Sequence, residues 1–564
     1  MASRSSIWPD FREEWILHED ADLIAIDKPA GVSVEAADPA YPDDIVTRLS
    51  RHLAARGDDP YLGIHQRLDR DTSGVLVYAR RKSANASLAA QFEKRTTKKT
   101  YIAGVVGYDG PQEQVLRHRL LPLTRGRVEV AARNDSRAKD AETRIRVVRT
   151  DGDRTLLMCE LVTGRTHQIR VQLAAIGSPV AGDALYGDVG APRMLLHAEE
   201  IALAHPMSGT ALKLRAKAPP SFNAWLSGVS APWHDARLVS SLLRDALEAR
   251  WGLARRDTAK ERTNAFRLIN EDADGLPGLA VDVYGDHLVA HFYSDEALEN
   301  RESILDLLDA RGVDGVYAKF RPRQANVVID TRRTELAPAK PLRGIPVAEP
   351  VTIYENGIPY LARLGDGLST GIFLDQRDNR LRVREWARDA RVLNLFSYTC
   401  AFSSAALLGD AKHVVSVDAS ADTLAWGKEN VALAAPERAS RHEVIDADVF
   451  ETLERLERAR AKFDLVIVDP PTYSTTKASR FASGKDWRSL IEMILPLVAP
   501  GGRVLACSND RRMLHIKFRR LLHEGARDAR VELAQMKDLH TPRDYPTLAG
   551  AESHLKSILL ARAP

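Results

Sequence analysis

Asp69 is the first residue of this chain whose type and setting could do chemistry. It lies in Ile64-His65-Gln66-Arg67-Leu68-Asp69-Arg70-Asp71-Thr72-Ser73-Gly74-Val75-Leu76-Val77, a charged turn that runs into an apolar strand. Arg67 and Arg70 flank the acid. Neighbouring guanidinium charge favours the ionised form of a carboxylate, which suits a nucleophile or a base in a cleft. Salt-bridged surface loops have the same composition, because ion pairs perturb acids without any catalytic role. A second cluster is Gly164-Arg165-Thr166-His167-Gln168-Ile169-Arg170, whose donors can pair with a carboxylate or hold phosphates. A third is Asp469-Pro470-Pro471-Thr472-Tyr473, directly after the apolar run Phe463 to Val468. There an acid and prolyl carbonyls can accept from a base edge while an aromatic ring stacks on it.

These residues need rigid elements beneath them. Leu23 to Asp27 reads as a strand that Lys28-Pro29-Ala30-Gly31 ends in a turn. Residues 85–94 have helical spacing, with Leu88, Ala89 and Phe92 on one face. The basic turn Thr96 to Thr100 leads into a strand that carries Tyr101. Ala218-Pro219-Pro220 and Ser227 to Pro232 mark a boundary. Beyond it, 238–251 has helical spacing, with Leu242, Leu243, Ala246, Leu247 and Arg250 as a stripe. Residues 266–282 read as two strands around an acidic Gly-Pro turn, and the acids do not fit a calcium-loop spacing. A Pro-rich stretch covers 337–350. Then Arg391 to Leu395, a polar loop, a helix from Phe402 and the strand Val414 to Val417 form a βαβ unit with Asp418 at its end. An acid at that distance binds ribose hydroxyls in dinucleotide folds, but the loop lacks the G-x-G-x-x-G pattern that seats a pyrophosphate.

Length and composition bound the answer. A chain of 564 residues is expected to form two to four domains, and 44% hydrophobic with 28% charged residues predicts a soluble globular protein. No run of about 18 apolar residues is present, so no membrane span is expected. The first residues lack the apolar core of a signal peptide, and Cys159, Cys400 and Cys507 are too far apart in sequence for metal-ligand spacing. A reducing, cytoplasmic setting without a bound metal is the expectation. A net charge of +3 permits a basic face for nucleic acid without requiring one.

Four ordered motifs between Trp15 and Trp225 resemble those of the RluA-like pseudouridine synthases. Arg67-Leu68-Asp69-Arg70-Asp71-Thr72-Ser73-Gly74 resembles their catalytic motif, His-Arg-Leu-Asp-x-x-Thr-Ser-Gly, with Gln66 here standing between His65 and Arg67. Lys28-Pro29-Ala30-Gly31, Lys99-x-Tyr101-x-Ala103 and Gly164 to Arg170 resemble the other three, and Leu195 to Ala198 with His205-Pro206 fit the family's last strand and loop. The resemblance implies an α+β fold on a mixed, largely antiparallel sheet. It implies that Asp69 acts at the sugar of a uridine as nucleophile or base, that Tyr101 contacts the target base, and that Arg165 pairs with Asp69. Arg67, Arg70, Lys99, His167 and Arg170 are the expected RNA contacts.

Residues 262–560 resemble the RlmI-like and RlmK-like ribosomal RNA methyltransferases, through Phe373-Leu374-Asp375-Gln376-Arg377, Asn394 to Ser403 and Asp469 to Tyr473. Cys400-Ala401 stands where relatives often carry Gly-Gly. The resemblance implies a small α+β RNA-positioning subdomain and an α/β Rossmann-like class I domain that uses S-adenosylmethionine (SAM). Gln376, Arg377, Asn394, Phe396, Tyr398, Asp418, Asp448, Asp469 and Pro470 would hold the cofactor, and Asp469 with Tyr473 would act on the base. Methylation at cytosine C5 needs a nucleophilic Cys, for which Cys507 is the candidate, whereas guanine N7 already has a lone pair. The segment Ser508-Asn509-Asp510-Arg511-Arg512 favours the guanine branch.

The expected organisation is a synthase domain over 11–228, a small subdomain over 237–345 and a methyltransferase domain over 346–564. The expected function is bifunctional modification of RNA, ribosomal RNA being the expected class, with no membrane and no metal involved. The alternative keeps the methyltransferase active and leaves the first domain as an RNA-binding module. Protein partners are not legible in the sequence.

Overall fold

The structure is a computed structural model that describes residues 11–36, 44–123, 126–132, 135–187, 190–229, 232–250, 253, 262–321, 335–475, 480–548 and 551–564. Three sheets carry it. The first is a mixed sheet of 11 strands, drawn from Ile16–Glu19 to Ala211–Arg215. Within it Ser73–Ala79 is buried along its whole length, antiparallel to Leu23–Lys28 and parallel to Leu196–Ala204. Alternation along a strand sends successive side chains to opposite faces. Val75, Val77 and Ala79 therefore pack with Ala84 and Leu88 of the helix Lys82–Glu93, while Leu76 and Tyr78 enter the larger core on the other face. Gly74 allows the approach of the parallel neighbour: a Cβ there would stand 2.2 Å from the Ala198 carbonyl oxygen, and its φ is +114°.

The second sheet has five strands in chain order, from Ala265–Asn270 to Arg343–Gly344. The helix Ala236–Ala249 joins it to the first; residue 251, at the end of the expected helical stretch, lies outside the described residues. Asp235 starts that helix by accepting the amides of Arg237 and Leu238. The predicted stripe of Leu242, Leu243, Ala246 and Leu247 is buried in one cluster with Ile24 and Leu76 of the first sheet and Phe266 and Val281 of the second. The core therefore runs across the Pro-rich boundary.

The third sheet has seven strands. Its order is His442–Asp446, His413–Asp418, Arg391–Leu395, Phe463–Val468, Val498–Ser508, Lys556–Arg562, Leu533–Leu539. The first five are parallel and the last two antiparallel. Strand order reverses between Arg391–Leu395 and Phe463–Val468, which opens a crevice at their carboxyl ends. The hairpin of Val351–Glu355 and Ile358–Ala362 packs Tyr360 with Tyr284 and Tyr317 of the second sheet and with Ala405 of the helix Ala401–Leu408. No helix among the described residues is long and apolar enough to cross a membrane.

The first unit touches the linking helix most closely at Gly31. A Cβ on Gly31 would meet the Ala249 Cα at 2.8 Å, whereas one on Gly57 would meet nothing within 4 Å, and the two glycines have nearly the same φ, +83° and +82°. Alanine at either position should cost about 1 kcal/mol of left-handed strain. Gly31→Ala should lose about 1–3 kcal/mol more through overpacking. Comparing urea unfolding of the two variants isolates the contact; equal losses would show that it yields freely.

Candidate active sites

The first candidate site is a cleft of about 1080 Å³ lined by the turn that holds Asp69, by Lys99 and Tyr101, and by the segment 161–170. The Asp69 turn is fixed from below. Lys28, fully buried, donates its ammonium to the carbonyls of Pro29, Val32 and Arg70, and the Gly31 amide also reaches the Arg70 carbonyl at 2.9 Å. Burial lowers the Lys28 pKa to about 7 against the opposing pull of Asp71 and other carboxylates. The Thr72 amide closes the turn on the Asp69 carbonyl.

The carboxylate of Asp69 is held from across the fold. Arg170 Nη1 donates to Asp69 Oδ2 at 2.8 Å, while its Nε and Nη2 grip both oxygens of Asp183 at 2.6 and 2.8 Å. Arg170 sits in the first turn of the helix Gln168–Ala175, which starts where His167 adopts a left-handed φ of 54°. The partner expected from the resemblance was Arg165. Instead Arg165 lines the cleft and donates Nε to the Asp140 carbonyl. The two sequence neighbours of Asp69 do not pair with it either: Arg70 grips Asp71 at 2.9 Å, and the exposed Arg67 lies 3.9 Å from Glu35. Arg170 thus moves from the expected RNA contacts to the carboxylate clamp, because each of its three nitrogens donates to a carboxylate inside the protein.

The other expected residues line the same cleft. Tyr101 is buried there, and its phenol is pushed up by burial and then by the charge of Asp69. His167 bonds Tyr186 through Nδ1 at 2.8 Å and stands 3.8 Å from Asp69 through Nε2; burial lowers its pKa. Lys99 lies over the Phe92 ring at 5.7 Å, and burial lowers its pKa too. His65 bonds Asn85. Motif reading gave no role to Lys28, although Lys28 opens one of the four motifs, and none to Asp183, 13 residues after Arg170.

The second candidate site is a crevice of about 310 Å³ at the carboxyl ends of the third sheet. Its loop after Arg391–Leu395 bends through three non-glycine residues with positive φ, Phe396, Tyr398 and Cys400, at 54°, 47° and 56°. Such residues cost of order 1–3 kcal/mol each and persist only when over-determined. Here the Tyr398 amide donates to Asp418, the Ser397 amide to the Val417 carbonyl, and Asn430 to the Thr399 carbonyl. Cys400, in place of the glycine, keeps the loop close because its side chain fills the room left by Gly427, where a Cβ would lie 2.4 Å from the sulfur.

Gln376, Phe396, Tyr398, Asp418, Asp448, Asp469 and Pro470 all line this crevice. Burial raises the Asp418 pKa, opposed by the Tyr398 and Ser420 amides that bond it. Asp448 also caps the helix Val449–Arg458, accepting the Phe450 and Glu451 amides. Gln376 Nε2 donates to Asp469 Oδ2 at 2.8 Å, yet burial and then the charge of Asp375 raise the Asp469 pKa to about 7. Two expected cofactor residues face elsewhere. Asn394 is buried against Ser403 at 2.9 Å, and Arg377 is buried in a two-pronged pair with Asp544. Tyr473 is exposed and begins the ribbon strand Tyr473–Thr475, just beyond the lining residue Thr472. Cys507 is buried beside Gln376, Asn379 and Ser557, is not among the lining residues, and has its thiol pKa pushed up by burial.

The family model described as S-adenosylmethionine-dependent methyltransferase matches residues 276–561. The chain belongs to that family. Residues 22–175 of this methyltransferase match a second family model, RNA pseudouridylate synthase, so it also carries a domain of that kind. A Deinococcus radiodurans protein named ribosomal RNA large subunit methyltransferase is 33% identical over 58% of this chain and 78% of its own length. A Salmonella enteritidis protein named ribosomal RNA large subunit methyltransferase I is 30% identical over 56% and 76%. The solved structure of SMU.776 complexed with SAH aligns at a TM-score of 0.52 and 26% identity, over 64% of this chain and 87% of that one.

SAM is accordingly the methyltransferase's cofactor, and the lining residues of the crevice fit it. Four carboxylates, Asp375, Asp418, Asp448 and Asp469, face a cofactor that carries a sulfonium and an ammonium, while Val449 and Phe450 offer an apolar wall. Bound there, SAM supplies an electrophilic methyl group. Metal-ligating side chains also approach one another outside both sites: Asp20, Asp22 and His205 lie within 4.8 Å, although Asp20 already accepts the amides of Asp22 and Leu23.

All three cysteines are free and buried, and burial pushes Cys159 up to about 12 and Cys400 to about 11. Thiol titration at pH 8 should find no reactive cysteine in the folded methyltransferase within minutes and three after denaturation. Rapid modification of Cys507 in the folded protein would show that it can reach the crevice.

Proposed function

We propose that this protein modifies ribosomal RNA twice, isomerising a uridine to pseudouridine at Asp69 and methylating a base, guanine N7 rather than cytosine C5, beside Asp469. The division 11–228, 237–345 and 346–564 would give a synthase domain, an RNA-positioning subdomain and a methyltransferase domain. A ribosomal RNA substrate would be met in the cytoplasm.

The observation that carries the synthase half is the chain Asp69–Arg170–Asp183, with Tyr101 beside it in a cleft that Arg67, Arg70, Lys99 and Arg165 line. The guanidinium of Arg170 keeps the Asp69 oxygen in one direction, as nucleophile or base. Buried Tyr101 offers a face to a base taken out of its stack, an interaction of about 1–3 kcal/mol. The exposed basic side chains would track the backbone. An RNA-binding module without catalysis would not need a clamped carboxylate.

In the methyltransferase half, Asp418 would hold the cofactor's ribose hydroxyls and Asp448 its adenine amine. Asp469 and Pro470 would accept from the target base, with Gln376 fixing Asp469 and Tyr473 closing over the base. Cytosine C5 would need a thiolate, and the burial of Cys507 away from the crevice speaks for guanine, whose N7 attacks the methyl group directly.

The first test is nucleoside mass spectrometry of ribosomal RNA from a deletion strain beside its parent. The expected result is loss of one pseudouridine and one 7-methylguanosine; loss of the methyl mark alone would reduce the first domain to RNA binding. With purified protein, Asp69→Asn should lower tritium release from 5-tritiated uridine RNA by at least about 10³-fold and leave methyl transfer within about twofold.

Methyl transfer should also report Asp469. Its charged form gains population as pH rises through about 7. If the carboxylate must accept from the base, the rate falls roughly tenfold per pH unit below 7 and is flat above it. A profile flat from pH 5.5 to 8.5 would remove Asp469 from that role.

A further inference from the structure

We propose that Asn509 selects the base: its side-chain amide donates to O6 of guanine while Asp469 accepts from N1–H and the 2-amino group. This rests on the guanine reading above and names the residue that would enforce it. Asn509 follows the strand Val498–Ser508, whose neighbour Phe463–Val468 ends at Asp469; Ala506 pairs with Val468. Both side chains therefore leave adjacent parallel strands at the same end of the sheet, and both line the crevice with Phe373 and Thr472.

The Asn509 amide is oriented. Its Oδ1 accepts the Thr472 hydroxyl at 3.0 Å, which leaves the NH₂ group turned from Thr472 and bonded to nothing among the described residues. The residues after it are committed elsewhere. Asp510 accepts the Arg512 amide, and Arg511 pairs with Glu271 at 2.6 Å. The crevice thus offers one carboxylate acceptor at Asp469 and one oriented amide donor at Asn509. The matching ligand edge has two donors beside one acceptor, as guanine presents. Cytosine presents one donor and two acceptors and would set its O2 or N3 against the Asp469 oxygens. Phe373, 48% exposed and 5.5 Å from the Tyr398 ring, gives the base a flat neighbour. An amide that binds O6 also holds N7, three bonds away on the same rigid ring system, in a fixed direction for methyl transfer.

The experiment is a cycle between side chain and base. Wild type, Asn509→Ala and Asn509→Asp are assayed with tritiated SAM on a ribosomal RNA fragment whose target guanosine is intact, replaced by 6-thioguanosine, or replaced by inosine. Calorimetry of SAM binding reports that each variant retains its fold. The expected result is that Asn509→Ala lowers kcat/KM about 10- to 100-fold, the size of one lost base contact, and that Asn509→Asp lowers it further by setting an anion against O6. Sulfur in place of O6 should cost wild type a similar factor and Asn509→Ala almost nothing more. Inosine, lacking the 2-amino group, should cost both proteins equally. Wild-type rates in Asn509→Ala, or equal sulfur penalties in both proteins, would overturn the role of Asn509 while 7-methylguanosine remains the product. Any other product nucleoside would overturn the guanine reading itself.

Discussion

One buried aspartate ties the second and third units to the helix that leads to the first. Asp544 is fully buried and binds Arg377 through both oxygens, at 2.9 and 2.5 Å. One of those oxygens also takes the Arg267 amide, and the residue's carbonyl accepts from Arg250. Arg377 begins a helix of the third unit, Arg267 lies in the second sheet, and Arg250 caps the helix that leads to the first. Arg250 is itself gripped by Asp274 at 2.6 and 2.7 Å. A charge removed from water is tolerable only when such partners are complete; deleting one typically costs 3–5 kcal/mol. Next to Arg377 stands Gln376, the donor to Asp469, and next to Asp544 stands Arg543, which donates to the carbonyl of Ala249, the residue whose Cα Gly31 approaches. The geometry of both clefts is referred to the same few atoms.

The two clefts have opposite linings. Around Asp69 the exposed groups are largely cationic, Arg67, Arg70, Arg95, Lys99 and Arg165 among them, while the crevice presents four carboxylates and one cation, Arg380, already gripped by Glu355. The near-neutral net charge of +3 is the sum of these opposed surfaces. The first lining attracts a polyanion, and the second suits a cofactor with positive charge. Total composition hides this separation because it averages over both linings.

Much of the architecture was legible in the sequence where chemistry and local structure coincide. The turns that carry Asp69, Asp418 and Asp469 were readable because an apolar run beside a polar turn already places an acid at a strand end. The error at Arg165 came from a contact 101 residues apart: Asp69 to Arg170 depends on how a short helix faces a distant turn, and sequence neighbours such as Arg67 turn outward to water instead. Asn394 and Arg377 lie within recognisable motifs yet serve the scaffold, because a motif states which residues recur and not which way each side chain points. Asp544 gave no signal, since a single acid in a loop reads as solvated until its partners converge.

The hydrophobic cluster that joins Ile24, Leu76, Leu243, Leu247, Phe266 and Val281 leaves no seam between the first and second units that could be parted without exposing apolar surface. A protease cut or a split gene at the Pro-rich junction would not release two independent catalysts. The linkage is therefore a fixed dosage: each molecule synthesised delivers one cleft and one crevice together.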